Sequence, residues 1–99
     1  MRASAKVTTD AAPTVDVFFA LDEGAPRELV ATWLAQLRMS GVSADTDYAQ
    51  RSLKGQLTQA GRLGAATTVV VDHRRATVRR PGSPDEDVAH EELPARLSR

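Results

Sequence analysis

At 99 residues the chain is the size of one domain, long enough to bury roughly 60–65% of its unfolded surface in one two-layer core but not to hold a second. Apolar residues at 41% and charged residues at 26% exclude a disordered, charge-rich chain, and the absence of cysteine excludes disulfide scaffolds, thiolate zinc sites and thiol nucleophiles. The formal net charge of zero argues against a strongly basic nucleic-acid binder, yet seven basic residues stand against one acid between Arg51 and Arg80, followed by the acidic run Asp85, Glu86, Asp87, Glu91 and Glu92.

Residues 1–14 are small and polar and end at Pro13-Thr14, which reads as a flexible leader or linker ahead of a domain spanning 15–99. Val15 to Leu21, with β-branched and aromatic residues broken only by Asp16, predicts a strand buried on both faces. From Ala25 to Met39, Leu29, Val30, Trp33, Leu34 and Leu37 recur at helical spacing, Pro26 suits a first turn and Gly41 a left-handed C-cap. Val42 to Asp47 is read as a short strand. Ser52 can cap a second helix with Leu53, Leu57, Ala60 and Leu63 on its face, ending at Gly64, although Gly55 and Gly61 each cost that helix about 1 kcal/mol relative to Ala.

Ala66 to Val71 is the clearest strand, and Ala76 to Arg80 follows it after a four-residue break, which predicts a hairpin. After the turn cluster Pro81-Gly82-Ser83-Pro84, Asp85 to Ala89 suits a short edge strand. His90 to Leu97 suits a last helix with Leu93 and Leu97 inward. The expected fold class is α/β: a mixed four- to five-stranded sheet covered by three helices, in the order β-α-β-α-β-β-(β)-α, with two right-handed crossovers.

The segment Asp47 to Ala65 reads DY..RSLK.Q...A..LGA, and in this it resembles the anticodon-binding, C-terminal domain of histidyl-tRNA synthetases, class II aminoacyl-tRNA synthetases. A weaker likeness in DVFFA, LDEGA and EELPARL extends it from about Val15 to Leu97. In that family the segment leads from the second strand through the second helix to the third strand, where the pattern of this chain also puts it. The chain departs in having Ala49-Gln50 where many members carry glycines, in a short connection after Val71, and in containing no class II catalytic domain.

The resemblance implies a non-catalytic, cytoplasmic tRNA-binding domain that holds an anticodon loop, histidine tRNA being expected. Its partner would be a class II catalytic domain in the same or another chain; neither DNA nor membrane is expected, and no cofactor, metal or catalytic residue. Arg51, Ser52, Lys54, Gln56 and Tyr48 are the implied RNA-binding residues. Alone it cannot aminoacylate. The alternative is a free-standing relative acting as a protein-interaction or regulatory module.

The chemistry suits an anticodon loop, which offers phosphates and splayed bases. Arg51 and Lys54 flank a helix start whose dipole favours an anion, but Arg51 could equally pair with Asp47 while Lys54 stays solvated. Gln56 could meet a base edge or tie down the preceding loop; Tyr48 could stack on a base or sit in the core. Arg74, Arg75, Arg79 and Arg80 read as a second phosphate patch or as a charged strand edge. The acidic run reads as a metal site or, preferred, a solvated face. His73 and His90 read as exposed loop residues.

Overall fold

The computed structural model describes residues 15–49 and 51–97, so the leader read at 1–14 and the Gln50 departure lie outside the described residues. At the centre is β1 (Val17–Leu21), a run of four fully buried residues ending in a half-buried Leu21. It pairs in parallel with β2 (Ala44–Thr46) on one side and β3 (Thr67–Val71) on the other. From β3 the sheet continues antiparallel through β4 (Arg75–Arg79) to β5 (Glu86–Ala89), giving the order β2-β1-β3-β4-β5. This is the mixed five-stranded form of the expected fold, with the optional last strand present at an edge.

Alternation along β1 decides which helix covers which face. Val17 and Phe19 join Val30, Trp33, Leu34 and Leu37 of α1 (Arg27–Met39), and Leu93 and Leu97 of α3 (Leu93–Leu97), in the larger core cluster. Phe18 and Ala20 point the other way, to Ala60, Leu53, Leu57 and Leu63 around α2 (Leu53–Arg62). Phe19 stacks on Trp33 with ring centroids 6.0 Å apart. Loss of that ring, by Phe19→Ala, removes a fully buried side chain from the centre of the larger core, at about 3–5 kcal/mol.

α1 begins after Pro26, which occupies the cap position in an extended conformation and gives up no N–H the helix could have used. It ends where Gly41, at φ +85°, turns the chain back so that Val42 N donates to Leu37 O at 2.9 Å. Leu29, expected on the apolar stripe, is 36% exposed because Val30, Trp33, Leu34 and Leu37 already define its centre. α2 is anchored less deeply. Its three leucine neighbours are only half-buried, while Ala60 and, unexpectedly, Gln56 are buried.

Two expectations are corrected here. β4 is no edge, since it lies between β3 and β5, so its arginines do not guard one. Ala76 and Val78 enter the core while Arg75 and Arg79 point outward, and Arg79 lies 3.5 Å from Asp85. His90 is not an exposed loop residue either: β5 runs straight into the 3₁₀ turn His90–Glu92, which carries the ring edge-on against Trp33 at 5.9 Å. Its Nε2 lies 3.0 Å from the Asp72 carbonyl oxygen. His73 is exposed, as expected.

The acidic run is mostly exposed, and three of its members have partners: Asp85 with Arg79, Glu86 with Arg96, and Asp87 with the Thr77 hydroxyl.

Candidate nucleic-acid interface

β1 and β2 are adjacent and parallel, so both end on the same side of the sheet. The chain leaves β1 for the helix on one face and leaves β2 for the helix on the other. The loops therefore part, and the parting opens a cleft outside the strand ends, where α/β sheets reverse winding and bind ligands. Its volume is about 500 Å³, and its lining includes Asp22, Glu23, Arg27, Arg51, Ser52 and Gln56. A shallower groove of about 390 Å³ runs on along α2 past Lys54, Thr58, Gln59 and Arg62, and Arg51 and Ser52 belong to both. On the opposite side, between α1 and α3, an apolar groove of about 280 Å³ has no charged residue in its lining and so offers no comparable chemistry.

Ser52 is the helix cap expected of it: its Oγ accepts from Gly55 N at 3.2 Å. The hydroxyl proton is not used by that bond. Lys54, on the first turn of α2, is exposed. With the free amides of that turn and the helix dipole, its charge favours an anion there.

Arg51 is half-exposed and its Nη1 lies 3.0 Å from Oδ2 of Asp47, whose side chain is only 4% exposed. The ion pair weighed against a phosphate role therefore forms. The approach is off the line of a directed hydrogen bond, since Asp47 Oδ2 has no hydrogen-bond partner and is held by charge. Oδ1 accepts from Ala49 N at 2.9 Å. That backbone bond is the largest single cause holding the Asp47 carboxyl below the usual aspartate range, against the opposing effect of burial, and the Arg51 guanidinium adds to it.

Gly55 explains itself beside Arg51. A Cβ built on it would lie 3.2 Å from Arg51 Cβ, closer than side-chain atoms ordinarily pack, and 3.4 Å from Cδ, in contact. The glycine inside the helix is where the Arg51 stem crosses its first turn.

Gln56 turns out to be the tie of the preceding loop. Its Oε1 accepts from Leu21 N at 2.7 Å, and its Nε2 donates to Leu21 O and Arg51 O, each at 2.9 Å. With both amide hydrogens engaged and the side chain buried, it holds the two loops of the cleft together from beneath. Tyr48 is 70% exposed, so the core alternative fails. Its hydroxyl accepts from Arg38 Nη2 at 3.4 Å.

The geometry thus brings Arg51, Ser52, Lys54 and the buried Gln56 to one helix start, with Tyr48 on the loop leading into it. Sequence reasoning missed Arg27 and the carboxylates Asp22 and Glu23 across the cleft, which become neighbours only through the reversal of winding. It met Gly55 only as a helix defect; residues four apart are neighbours on a helix, but nothing in the sequence marks this glycine as the place where the Arg51 stem lies.

No protein-family model matches the chain. A histidine–tRNA ligase of Staphylococcus haemolyticus is 47% identical over 66 residues, which is 66% of this chain and 15% of that protein. One of Staphylococcus aureus is 55% identical over 38 residues, covering 38% of this chain and 9% of its own length. The crystal structure of apo S. aureus histidyl-tRNA synthetase superposes on 92% of this chain and 25% of its own, with TM-score 0.76 and 28% identity. The RNA-binding domain of threonyl-tRNA synthetase from Cryptosporidium parvum shares the fold at TM-score 0.64 and 14% identity, over 83% of this chain and 22% of its own. The chain spans about 15% or less of the length of these curated relatives. It is a small domain homologous to part of histidine–tRNA ligase, with the fold of that enzyme's C-terminal domain.

Proposed function

We propose that this domain binds the anticodon stem-loop of a tRNA, histidine tRNA by its relationship, and that chemistry belongs to a class II catalytic domain in the same or another chain. A cytoplasmic site of action accompanies this reading; no helix among the described residues is long and apolar enough to cross a membrane. The observation that carries it is the joint placement of Arg51, Ser52 and Lys54 at one helix start, where the switch-point cleft meets the groove along α2, in a domain homologous to part of a tRNA ligase. Arg51 and Lys54 meet phosphates, Ser52 donates its hydroxyl proton, and the exposed Tyr48 ring stacks on an unpaired base. Gln56 acts from below by fixing the loops.

Titration of a synthetic histidine-tRNA anticodon stem-loop by fluorescence anisotropy tests this. With two phosphates neutralised, affinity should fall with salt at a log–log slope of about −1.5. Arg51→Ala with Lys54→Ala should weaken binding at least tenfold and flatten the slope. No binding at low salt, or binding indifferent to both substitutions, would overturn the reading and leave a protein-interaction module, for which the groove between α1 and α3 is the available surface.

A further inference from the structure

The arginine at the junction of the two grooves is not a free surface arm. A nearly buried carboxylate holds its tip, and a glycine leaves room for its stem across the first turn of α2. We infer that Asp47 and Gly55 together form a seat that presents the Arg51 guanidinium in one pose to a phosphate of the bound RNA. This rests on the RNA-binding reading and deepens it, by assigning positioning roles to two residues that touch no ligand.

A guanidinium has five N–H donors in a rigid fork. Asp47 Oδ2 meets Nη1 at 3.0 Å, and half of the arginine side chain faces solvent, so donors remain available there. The carboxylate cannot swing away with Arg51, because Oδ1 is held by Ala49 N. The stem lies 3.2–3.4 Å from the position a Cβ on residue 55 would take, so a side chain there makes Arg51 give by a few tenths of an ångström and disturbs its pose. An arginine held this way loses little rotamer freedom on binding, which is the advantage of preorganisation. The alternative use of the same contact is competition, in which Asp47 occupies Arg51 and must be displaced by the phosphate. The two uses predict opposite signs.

Binding of the anticodon stem-loop is measured for the parent, Asp47→Asn, Gly55→Ala and Arg51→Ala, with folding checked by circular dichroism. The seat predicts affinity lower by roughly three- to tenfold in Asp47→Asn and in Gly55→Ala. Gly55→Ala should have no further effect when Arg51 is already Ala. Gly55→Ala keeps the test decisive if Asp47→Asn folds poorly. An RNA-free readout accompanies it: the Arg51 Nε–Hε resonance should be resolved, with slow guanidinium rotation, in the parent and averaged in both variants. Tighter binding by Asp47→Asn, or unchanged binding by both variants of a parent that does bind, removes the seat alone. A parent that binds no RNA removes the functional reading, while an averaged parent resonance removes the seat independently.

Discussion

The side-chain amide of Gln56 brackets the backbone of Leu21, accepting from its N–H at 2.7 Å and donating to its C=O at 2.9 Å across 35 residues of sequence. One glutamine thereby closes the end of the central strand onto the first turn of α2. Gln56→Ala leaves the Leu21 N–H and C=O and the Arg51 C=O without their partner in a mostly shielded place, and about 2 kcal/mol of stability should be lost. Gln56→Glu keeps the acceptor and loses both donors, so at neutral pH it should cost at least as much. Chemical denaturation of the two variants checks this; a loss within about 0.5 kcal/mol for either would mean that the bracket is not the closure described.

Breaking the Asp47–Arg51 pair from one side exposes the asymmetry of its burial. Arg51→Ala strands a carboxylate whose Oδ2 has no other partner, and should destabilise by about 1–2 kcal/mol, between an exposed and a fully buried pair because the arginine is half in water. Adding Asp47→Asn should restore about 1 kcal/mol. A double variant whose loss is the plain sum of the single ones would show that the pair contributes nothing.

Acid should unfold the domain through two aspartates. Asp72 is held below the usual range chiefly by the backbone N–H groups of Arg75 and Arg74, both donating to its Oδ1 at 2.8 Å, and Asp47 chiefly by that of Ala49. A lowered folded-state value contributes stability that is present above the unfolded-state value near ~3.9 and is lost as the pH falls through the folded one. The thermal midpoint should therefore be flat with respect to these groups from about pH 5 to 7 and decline below about pH 4. Asp72→Asn should lower the plateau and make the decline shallower; a parallel downward shift of the whole curve would exclude Asp72 as a contributor.

The two glycines inside α2 should answer differently to alanine. Gly61 has open space where its Cβ would go, so Gly61→Ala should stabilise by about 1 kcal/mol and raise the thermal midpoint by about 4–8 °C. At Gly55 the same gain in helix propensity is partly offset by the tight contact with the Arg51 stem, and the midpoint should rise by less. Equal gains at both positions would mean the stem is not packed there.

Much of the fold was legible because its strongest elements announce themselves locally. The Val69 to Val71 run and the short break before Ala76 suffice for a hairpin, and Val30, Trp33, Leu34 and Leu37 suffice for a helix face. What was not legible depended on long-range pairing. The interior place of β4 follows from β5, four residues whose mixed composition is a weak strand signal, and the partly covered His90 follows from a turn that only the closed sheet positions. At the candidate site the helix start from Ser52 was readable from capping chemistry. The tie made by Gln56 was one of the two uses its amide suggested, but its reach back to Leu21 was not legible, because a glutamine on an otherwise apolar helix face carries no indication of which backbone it will meet.

The two boundary strands of the sheet are its shortest, three residues in β2 and four in β5. On β2 the Arg38 Nε already donates to the Ala44 carbonyl and its guanidinium sits 3.6 Å from Asp45; β5 carries Glu86 and Asp87. Neither margin offers the long, flat, apolar row of open amides on which a second molecule could add a strand. Concentrated samples should consequently resist fibril growth from the native state, and any association they show would have to use helices and loops instead of main-chain ladders.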